Sequence, residues 1–178
     1  MVDEATNFSQ NQVMSKILEI YTDGGCIGNG KAEFERFGGF GCVMVCEDSV
    51  LATHSQSYTG TTNNRMELRG VIHALKTLDL NYEKLKAFES VKIITDSQYC
   101  TNGATTWRIN WKKNNWKVKN VPIKNPDLWI ELSNLLDSVN QKYKLEFQWV
   151  KGHSGNKYNE MVDELTKVKS EIVITDIY

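Results

Sequence analysis

Four acidic residues lie in short motifs spread along most of the chain. Asp23 and Asp96 each follow a short β-prone segment, whereas Glu67 and Asp163 lie in segments with helical spacing. Four carboxylates in one pocket would repel and raise one another's pKa unless hard divalent cations lay between them. Oxygen-only ligands favour Mg²⁺ or Mn²⁺, and two such ions roughly 3.5 to 4 Å apart are a recurrent arrangement for hydrolysing phosphodiesters. The set indicates hydrolytic phosphoryl transfer, while each carboxylate taken singly has an ordinary reading as a helix cap, turn residue or surface group.

A histidine in the segment KGHSG is a candidate for proton transfer. His153 lies between two glycines, which indicate a mobile or tightly turned backbone. An imidazole on such a loop, next to an acidic metal site, could exchange a proton with the attacking water or the leaving group. A plain surface-loop histidine is the open alternative. We expect His54 and His73, which lie in strand and helix patterns, to be packing or surface residues.

One segment, 107–124, is strongly basic and aromatic, although the whole chain has a net charge of -1 and a pI near 6.3. It contains six basic residues and no acidic one: Arg108, Lys112, Lys113, Lys117, Lys119 and Lys124. It also contains three of the five tryptophans: Trp107, Trp111 and Trp116. Lysines and aromatic rings together favour contact with a nucleic-acid backbone. A solvated helix whose tryptophans pack into the core is the alternative.

The polar segment TTNNR (61–65) directly precedes a helical pattern. Hydroxyl and carboxamide groups at a helix start suit anions and sugar hydroxyls. Paired asparagines there could read the 2′-OH that distinguishes RNA from DNA. Helix capping alone explains the segment equally well.

The elements that must position these residues alternate between strands and helices. Short β-prone runs predict five strands, at 17–22, 38–47, 50–59, 91–95 and 145–150. Amphipathic spacing predicts helices at 61–80, after Asp96, at 126–141 and at 157–168. We expect a glycine turn after Asp23 and a hairpin turn at Asp48 and Ser49. The order β-β-β-α-β-α-α-β-α predicts an α/β protein with a mixed sheet covered by helices.

Length and composition are typical of one ordinary domain. The chain has 178 residues, of which 40% are hydrophobic and 24% charged. We expect a polar N-terminal tail (1–16), a catalytic domain (17–168) and a C-terminal tail (169–178). Four widely spaced cysteines indicate reduced thiols rather than a disulfide framework. With a polar start and no run of eighteen apolar residues, we expect an intracellular, cytoplasmic protein without a membrane segment.

Five motifs together resemble type 1 ribonuclease H: IYTDGGCIGNG, TTNNRMEL, IITDSQY, the W-x-x-N-W-K-K-x-x-W-K segment and WVKGHSGNKYNEMVDELT. They occur in the family's order and cover about residues 17–168. The resemblance implies a ribonuclease H-like fold, with a five-stranded mixed β-sheet flanked by α-helices. It also implies an Mg²⁺-dependent endonuclease that uses two ions, for which Mn²⁺ can substitute. This enzyme would cleave the RNA strand of RNA/DNA hybrids, leaving 3′-OH and 5′-phosphate ends, and nothing in the chain demands more than a monomer.

The resemblance also implies individual roles. The metal-binding carboxylates would be Asp23, which would bridge both ions, Glu67, Asp96 and Asp163. The residue that assists proton transfer or product release would be His153. Contacts to the RNA strand or minor groove would come from Cys26, Asn29, Asn63, Asn64 and Gln98. A DNA phosphate would bind at Thr62 and Asn125, with Trp107 beside the deoxyribose. The segment 107–119, with Trp111, Lys112, Lys113, Trp116 and Lys117, would be the family's basic protrusion.

Two other functions are compatible with the same residues. One is a module that binds hybrids or double-stranded RNA without cutting them, which the basic segment would support equally well. The intact carboxylate set argues against it, since a pure binder of phosphates gains nothing from clustered negative charge. The other is a nuclease of the same fold that acts on DNA, because fold alone does not decide the substrate. One departure from the family is the loop GNGKAEFERFGGFG (28–41), which replaces a shorter proline–glycine turn of bacterial members.

Overall fold

The main sheet carries the residues of interest on its central strands. The computed structural model of the protein describes residues 16–178. Its strands are β1 (Ile17–Ile27), β2 (Phe37–Cys46), β3 (Ser49–Thr59), β4 (Ser90–Thr95), β7 (Lys144–Trp149) and β8 (Val173–Thr175), in the spatial order β7-β4-β1-β2-β3-β8. A separate two-stranded ribbon consists of β5 (Lys117–Val118) and β6 (Val121–Pro122). The predicted N-terminal tail lies outside the described residues except for Lys16.

The register of β1 and β4 brings two predicted site residues to the same edge of the sheet. The strands β1, β4 and β7 are parallel, and β2 runs antiparallel to β1. Thr22 of β1 pairs with Thr95 of β4, so Asp23 and Asp96 follow directly at equivalent positions. Because parallel strands end at the same sheet edge, this arrangement needs no further element to place the two carboxylates side by side.

The predicted glycine turn after Asp23 is wrong, because β1 continues through the glycines to Ile27. Gly24 pairs with Phe40 of β2, so the ladder is unbroken there. A Cβ on Gly24 would lie 2.3 Å from the backbone nitrogen of Glu67. The glycine is needed for a helix to approach the strand, not for a turn. The hairpin turn between β2 and β3 also lies one residue earlier than predicted, at Glu47 and Asp48, both with positive φ.

Helices cover both faces of the sheet. They are α1 (Asn63–Leu80), α2 (Tyr82–Leu85), α3 (Gln98–Asn102), α4 (Arg108–Lys113), α5 (Pro126–Lys142) and α6 (Lys157–Thr166). A π-helical turn, Gly103–Trp107, joins α3 to α4, and a single 3₁₀ turn, Glu33–Glu35, lies in the loop between β1 and β2. Among residues 16–178, no helix has both the length and the apolar character required to cross a membrane.

Two hydrophobic cores follow from the alternation of side chains along β1. Leu18 and Ile20 face the larger core, which α1 and α5 complete with fully buried residues such as Trp129. Tyr21 points to the opposite face, where α6 contributes Val162. The mixed sheet with helices on both faces is the predicted fold, and this prediction is confirmed. All four cysteines lie within the described residues and are free thiols, as expected.

The sheet has six strands rather than the predicted five. The sixth, β8, comes from residues 169–178, which the sequence analysis assigned to a tail, and it pairs in parallel with β3. Asp176 follows β8 and is 1% exposed, in ion pairs with Arg65 and Arg69 of α1. A three-residue strand is too short to show a hydrophobic period, and side chains distant in sequence stabilise its position. The sequence pattern therefore could not reveal it.

Candidate active site at the carboxyl edge of the sheet

Three of the four predicted carboxylates converge at the carboxyl edge of the sheet. One carboxylate oxygen each from Asp23, Glu67 and Asp96 lies within 4.8 Å of the other two. Asp23 is buried on β1, and one of its oxygens accepts a hydrogen bond of 2.8 Å from the Gly24 amide. Glu67 comes from the second turn of α1, which Gly24 allows to approach closely, and Asp96 directly follows β4.

Burial and mutual repulsion disfavour the charged form of all three groups. Burial and then the charge of Asp96 raise the pKa of Asp23 to about 7. Burial, together with the charges of Asp23 and Asp96, raises the pKa of Glu67 well above its ordinary value. The pKa of Asp96 is also raised, chiefly by burial. The cluster is therefore under electrostatic strain that a cation would relieve.

The cluster fits a hard divalent cation by its donor chemistry. All three groups offer oxygen, which is the ligand that ions such as Mg²⁺ and Mn²⁺ prefer. The Oε2 atom of Glu67 is buried and has no hydrogen-bond partner among residues 16–178. A buried carboxylate oxygen without a partner is costly unless a ligand satisfies it. Asp23, Glu67 and Asp96 are the residues that would hold such an ion.

The fourth predicted carboxylate, Asp163, lies on α6 and outside the three-carboxylate cluster. Its Oδ2 forms an ion pair of 3.1 Å with Lys167, one helical turn further on. Its charge nevertheless raises the pKa of Asp23 and of Asp96, so it acts on the same site electrostatically. The structure places Asp163 at the border of the cluster, paired with a cation of the chain.

His153 lies on an exposed loop beside Asp96, with a positive φ of 52°. The neighbouring Gly152 touches Asp96, because a Cβ there would lie 2.7 Å from the Oδ2 atom of Asp96. The charge of His153 lowers the pKa of Asp96, against the larger effect of burial. The other two histidines, His54 of β3 and His73 of α1, stack with ring centroids 4.1 Å apart.

Sequence reasoning missed one residue that contacts the cluster. Asn159 of α6 is buried, and a hydrogen bond from its side chain lowers the pKa of Asp96. It precedes Asp163 by four residues and so lies on the same face of the helix. This spacing is the sequence feature that could have indicated Asn159 as a site residue. It does not indicate that the side-chain amide reaches Asp96.

The segment at the start of α1 both caps the helix and lines a cavity. The Thr62 hydroxyl accepts a hydrogen bond from the Arg65 amide, and the Asn63 amide donates to the Oδ1 atom of Asn29. Beside them lies a cavity of about 630 Å³ whose lining includes Asn29, Thr62, Asn63, Asn64 and Asn125. A second cavity, of about 320 Å³, reaches from Cys26 and Asn63 to Asp163. The two cavities share Asn63, and the second one reaches Asp163 at the border of the cluster.

The basic segment 107–124 mixes packing and exposed cations. Trp111 packs edge-on against the buried Trp129, whereas Trp107 remains 40% exposed. A cavity of about 470 Å³ lies between Trp107, Trp111 and Lys117. The core-packing alternative therefore holds for Trp111, while Trp107 lines an open groove and its contact with nucleic acid stays a prediction.

The lysines of this segment differ in their surroundings. Lys112 pairs with Asp137 of α5 at 2.6 Å, whereas Lys113 and Lys117 have no ion pair with any residue between 16 and 178.

Tyr99 links this basic surface to the start of α5. Its hydroxyl accepts hydrogen bonds from the Asn125 side-chain amide and from the Trp129 indole. Its ring lies 6.5 Å from that of Trp107. Gln98, the first residue of α3, is exposed next to it. Tyr99 thus contacts Asn125 on one side and lies near Trp107 on the other.

Fold and site together define an α/β protein with a carboxylate cluster, suited to divalent cations, at the carboxyl edge of a mixed sheet. A family model described as RNase H matches residues 15–171. The chain is 47% identical over 159 residues to ribonuclease HI of Haemophilus influenzae, covering 89% of this chain and 92% of that protein. It is 42% identical to ribonuclease HI of Vibrio parahaemolyticus, with the same coverage of both chains. The chain belongs to the ribonuclease H family.

Solved structures agree with this assignment. The chain is similar to LC9-RNase H1, a type 1 RNase H with the type 2 active-site motif, with a TM-score of 0.69 and 32% identity over 85% of this chain and 70% of that one. It is also similar to LC11-RNase H1 in complex with RNA/DNA hybrid, with a TM-score of 0.59 and 25% identity over 84% of this chain and 94% of that one. Family membership identifies the chain as a hydrolytic enzyme.

Proposed function

We propose that the protein is an endonuclease that hydrolyses the RNA strand of RNA/DNA hybrids and leaves 3′-OH and 5′-phosphate ends. One observation carries the proposal. In a member of the ribonuclease H family, three carboxylates from β1, α1 and the end of β4 meet within 4.8 Å, and one of their buried oxygens lacks a partner among residues 16–178. A binding module would have no use for this repulsive cluster next to phosphates.

At the centre, Asp23, Glu67 and Asp96 would hold two divalent ions, with Mg²⁺ as the ion of choice. Ions held there would supply an activated water and stabilise the charge that develops on the leaving oxygen. The protein contributes a site of converging negative charge, assembled before the substrate arrives. Because burial disfavours those charges, the same site binds protons and cations in competition.

Asp163 and His153 flank this centre and act at its border. Asp163, which is paired with Lys167, would be the fourth carboxylate to hold the ions. His153, which is exposed, would transfer a proton near the scissile phosphate or assist the release of the product. Its role is auxiliary, because the carboxylates hold the ions without it.

The surface around the first turn of α1 reads the RNA strand. Carboxamides and a thiol lie there together, with Asn29 already bonded to the first amide of the helix. Carboxamide groups both donate and accept, which matches the 2′-hydroxyl. The residues proposed for this contact are Cys26, Asn29, Asn63, Asn64 and Gln98.

The other strand lies across the phosphate pocket and the basic segment. Thr62 and Asn125 hold a phosphate of the DNA strand, and Trp107 packs on a deoxyribose. Trp111 and Trp116 support that surface, while Lys112, Lys113 and Lys117 contact the backbone. LC11-RNase H1, a protein of the same fold, has been solved in complex with an RNA/DNA hybrid, which supports hybrid binding in general.

The decisive experiment compares cleavage of matched labelled duplexes of RNA/DNA, RNA/RNA and DNA/DNA with Mg²⁺ and with EDTA. We expect cleavage only of the RNA strand of the hybrid, lost in EDTA. The variant Asp96→Asn should lose nearly all turnover, while circular dichroism and hybrid binding remain close to wild type, since only one carboxylate oxygen is exchanged for an amide.

Each other outcome of this experiment would contradict a different part of the proposed function. Binding of the hybrid without cleavage in Mg²⁺ or Mn²⁺ would establish the binding module, and cleavage of DNA/DNA would establish a DNA nuclease. Near-normal Mg²⁺-dependent activity of Asp96→Asn would contradict the assigned carboxylate centre.

A further inference from the structure

The cavity at the start of α1 is lined by three residues that the proposed contacts leave unused. Besides Thr62 and Asn125, its lining includes Arg36, Lys124 and Tyr178. Arg36 belongs to the long loop between β1 and β2, and Tyr178 follows β8. The loop and the residues after β8 thus meet at this cavity, although Arg36 and Tyr178 are 142 positions apart in the sequence.

Arg36 is held in place without being neutralised. Its Nε donates a hydrogen bond of 2.8 Å to the Lys31 carbonyl, and its Nη1 donates one of 3.0 Å to the Tyr178 hydroxyl. No carboxylate forms an ion pair with it within the described part of the chain. A guanidinium has five N–H donors, so the rest of its donors and its full charge are available to an anion.

Tyr178 is itself fixed by a buried network. The guanidinium carbon of Arg65 lies over the Tyr178 ring, 3.9 Å from the ring centroid. Arg65 is fully buried and donates to both oxygens of Asp176, which anchors the segment after β8. The same guanidinium donates to the Oδ1 atom of Asn125. One buried arginine therefore contacts both Asn125 and Tyr178, the residue that holds Arg36, and all three of these line the cavity.

The chemistry of these lining residues is that of a phosphate contact. Arg36 and Lys124 are two unpaired cations, among the described residues, that line one cavity together with hydroxyls and side-chain amides. A planar guanidinium with free donors matches the geometry of a phosphodiester. The phosphate proposed at Thr62 and Asn125 belongs to the DNA strand. A phosphate bound by Arg36 in the same cavity would therefore belong to that strand too.

We propose that Arg36 binds a second phosphate of the DNA strand, next to the one at Thr62 and Asn125, and that Tyr178 is the residue that positions Arg36. This inference rests on the proposed function, because the phosphate belongs to the bound hybrid. It gives the loop 28–41 and the segment after β8 a shared role in substrate binding.

Steady-state cleavage of a labelled hybrid at several salt concentrations tests the inference with Arg36→Ala, Tyr178→Phe and Lys144→Ala. Lys144 begins β7, at the end of the sheet away from the carboxylate cluster, so Lys144→Ala is a matched change of charge. We expect Arg36→Ala to raise KM about 10-fold with kcat within twofold, and to reduce the salt slope of log(kcat/KM) by about 1. Tyr178→Phe, which keeps the ring over Arg65, should raise KM about threefold with an unchanged Tm, because Arg36 keeps its charge but loses the hydrogen bond that positions it.

A second arm identifies the phosphate. The hybrids carry a neutral methylphosphonate at single positions of the DNA strand. At one position, this modification should raise KM for wild type but should not raise KM further for Arg36→Ala. If Arg36→Ala matches Lys144→Ala in KM and salt slope, or if no position shows this behaviour, the inference is overturned while the proposed function stands. If wild type cuts nothing, the proposed function fails, and hybrid dissociation constants from fluorescence anisotropy then decide whether Arg36 still contacts the duplex.

Discussion

At the residue scale, the site is a cluster of carboxylates that the fold holds at an energetic cost. Asp23, Glu67 and Asp96 each have a raised pKa, with burial as the largest cause in all three. A group whose pKa is higher in the folded than in the unfolded state stabilises the fold at low pH and loses that contribution as the pH rises through the folded value. The metal-free protein should therefore become less stable between about pH 4 and pH 7, where Asp23 ionises.

Replacing Asp23 by asparagine should remove this cost. In EDTA at pH 8 we expect Asp23→Asn to be more stable than wild type by up to about 4 kcal/mol, because the shift in the pKa of Asp23 is about three units. The difference should shrink toward pH 4, where wild type is protonated. Urea unfolding followed by circular dichroism across this pH range measures it.

The control for this experiment is Glu171→Gln, the same change of charge at an exposed residue. Added Mg²⁺ should stabilise wild type and not Asp23→Asn. A stability difference that is constant from pH 4 to pH 8 would show that ionisation of Asp23 is not its cause.

The auxiliary role of His153 is also decided at this scale. We expect His153→Ala to lower kcat roughly 100-fold, which is less than the loss in Asp96→Asn, with KM nearly unchanged. Because His153 has a positive φ, part of the effect in the alanine variant could come from backbone strain. His153→Asn separates the two causes, since asparagine tolerates that conformation but cannot transfer a proton near neutral pH. Equal losses in the two variants assign the effect to the imidazole, and a loss as deep as that of Asp96→Asn would mean that the role is not auxiliary.

At the scale of elements, two features present the groups that we propose to bind the substrate. The first turn of α1 carries the carboxamides, and Gly24 lets that helix lie directly on β1. The second feature is α4 with the ribbon of β5 and β6, which presents its cations beside Trp107. Trp111 fastens this unit to the core through Trp129, so the basic surface is attached to the catalytic domain rather than free.

The ion pairs within this unit predict unequal contributions from its lysines. Replacing Lys113 and Lys117 together by alanine should raise KM and reduce the salt slope of binding by about 2, one for each released phosphate contact. Lys112→Ala should change the slope less, because Asp137 already holds its ammonium group at 2.6 Å. Binding of the hybrid between 50 and 300 mM salt provides the measurement, and Lys84→Ala on the exposed α2 provides the control. An unchanged slope in the double variant would place the phosphate contacts elsewhere.

At the scale of the whole molecule, one buried network ties the last strand to the helix that carries Glu67. Burial alone would raise the pKa of Asp176, but hydrogen bonds from Arg65 and Arg69 hold it below its ordinary value. Arg65 also pairs with Asp127 at the start of α5. The network therefore joins β8, α1 and α5, three elements that are far apart in the sequence.

Loss of the buried partner should destabilise the whole protein. We expect Asp176→Asn to lower the free energy of unfolding by about 3 to 5 kcal/mol, because it leaves the buried Arg65 short of a counter-charge. Asp127→Asn, whose side chain is 44% exposed, should cost about 1 kcal/mol or less. Urea unfolding at pH 7 compares the two variants with wild type, and equal losses would show that burial of Asp176 is not what matters.

Local patterns were sufficient for most of the fold and for the identity of the carboxylates. The five longer strands and the helices at 61–80 and 126–141 follow from periodicity, because each buries one face along its own length. Asp23 and Asp96 lie at equivalent positions of two parallel strands and Glu67 in the second turn of α1, which is consistent with the expectation from the sequence that carboxylates gather at one edge of the sheet.

The tertiary structure decided what depends on partners distant in sequence. The continuation of β1 through Gly24, the strand β8 and the burial of Arg65 all require contacts that no local pattern records. The same holds for Asn159 at Asp96 and for the ion pair that keeps Asp163 outside the cluster. Periodicity reports which face of an element is buried, whereas ion pairs and close backbone approaches depend on which elements meet. The sequence therefore determined the elements and the chemistry of this protein, and the packing between the elements determined the strand count and the final set of neighbours at the site.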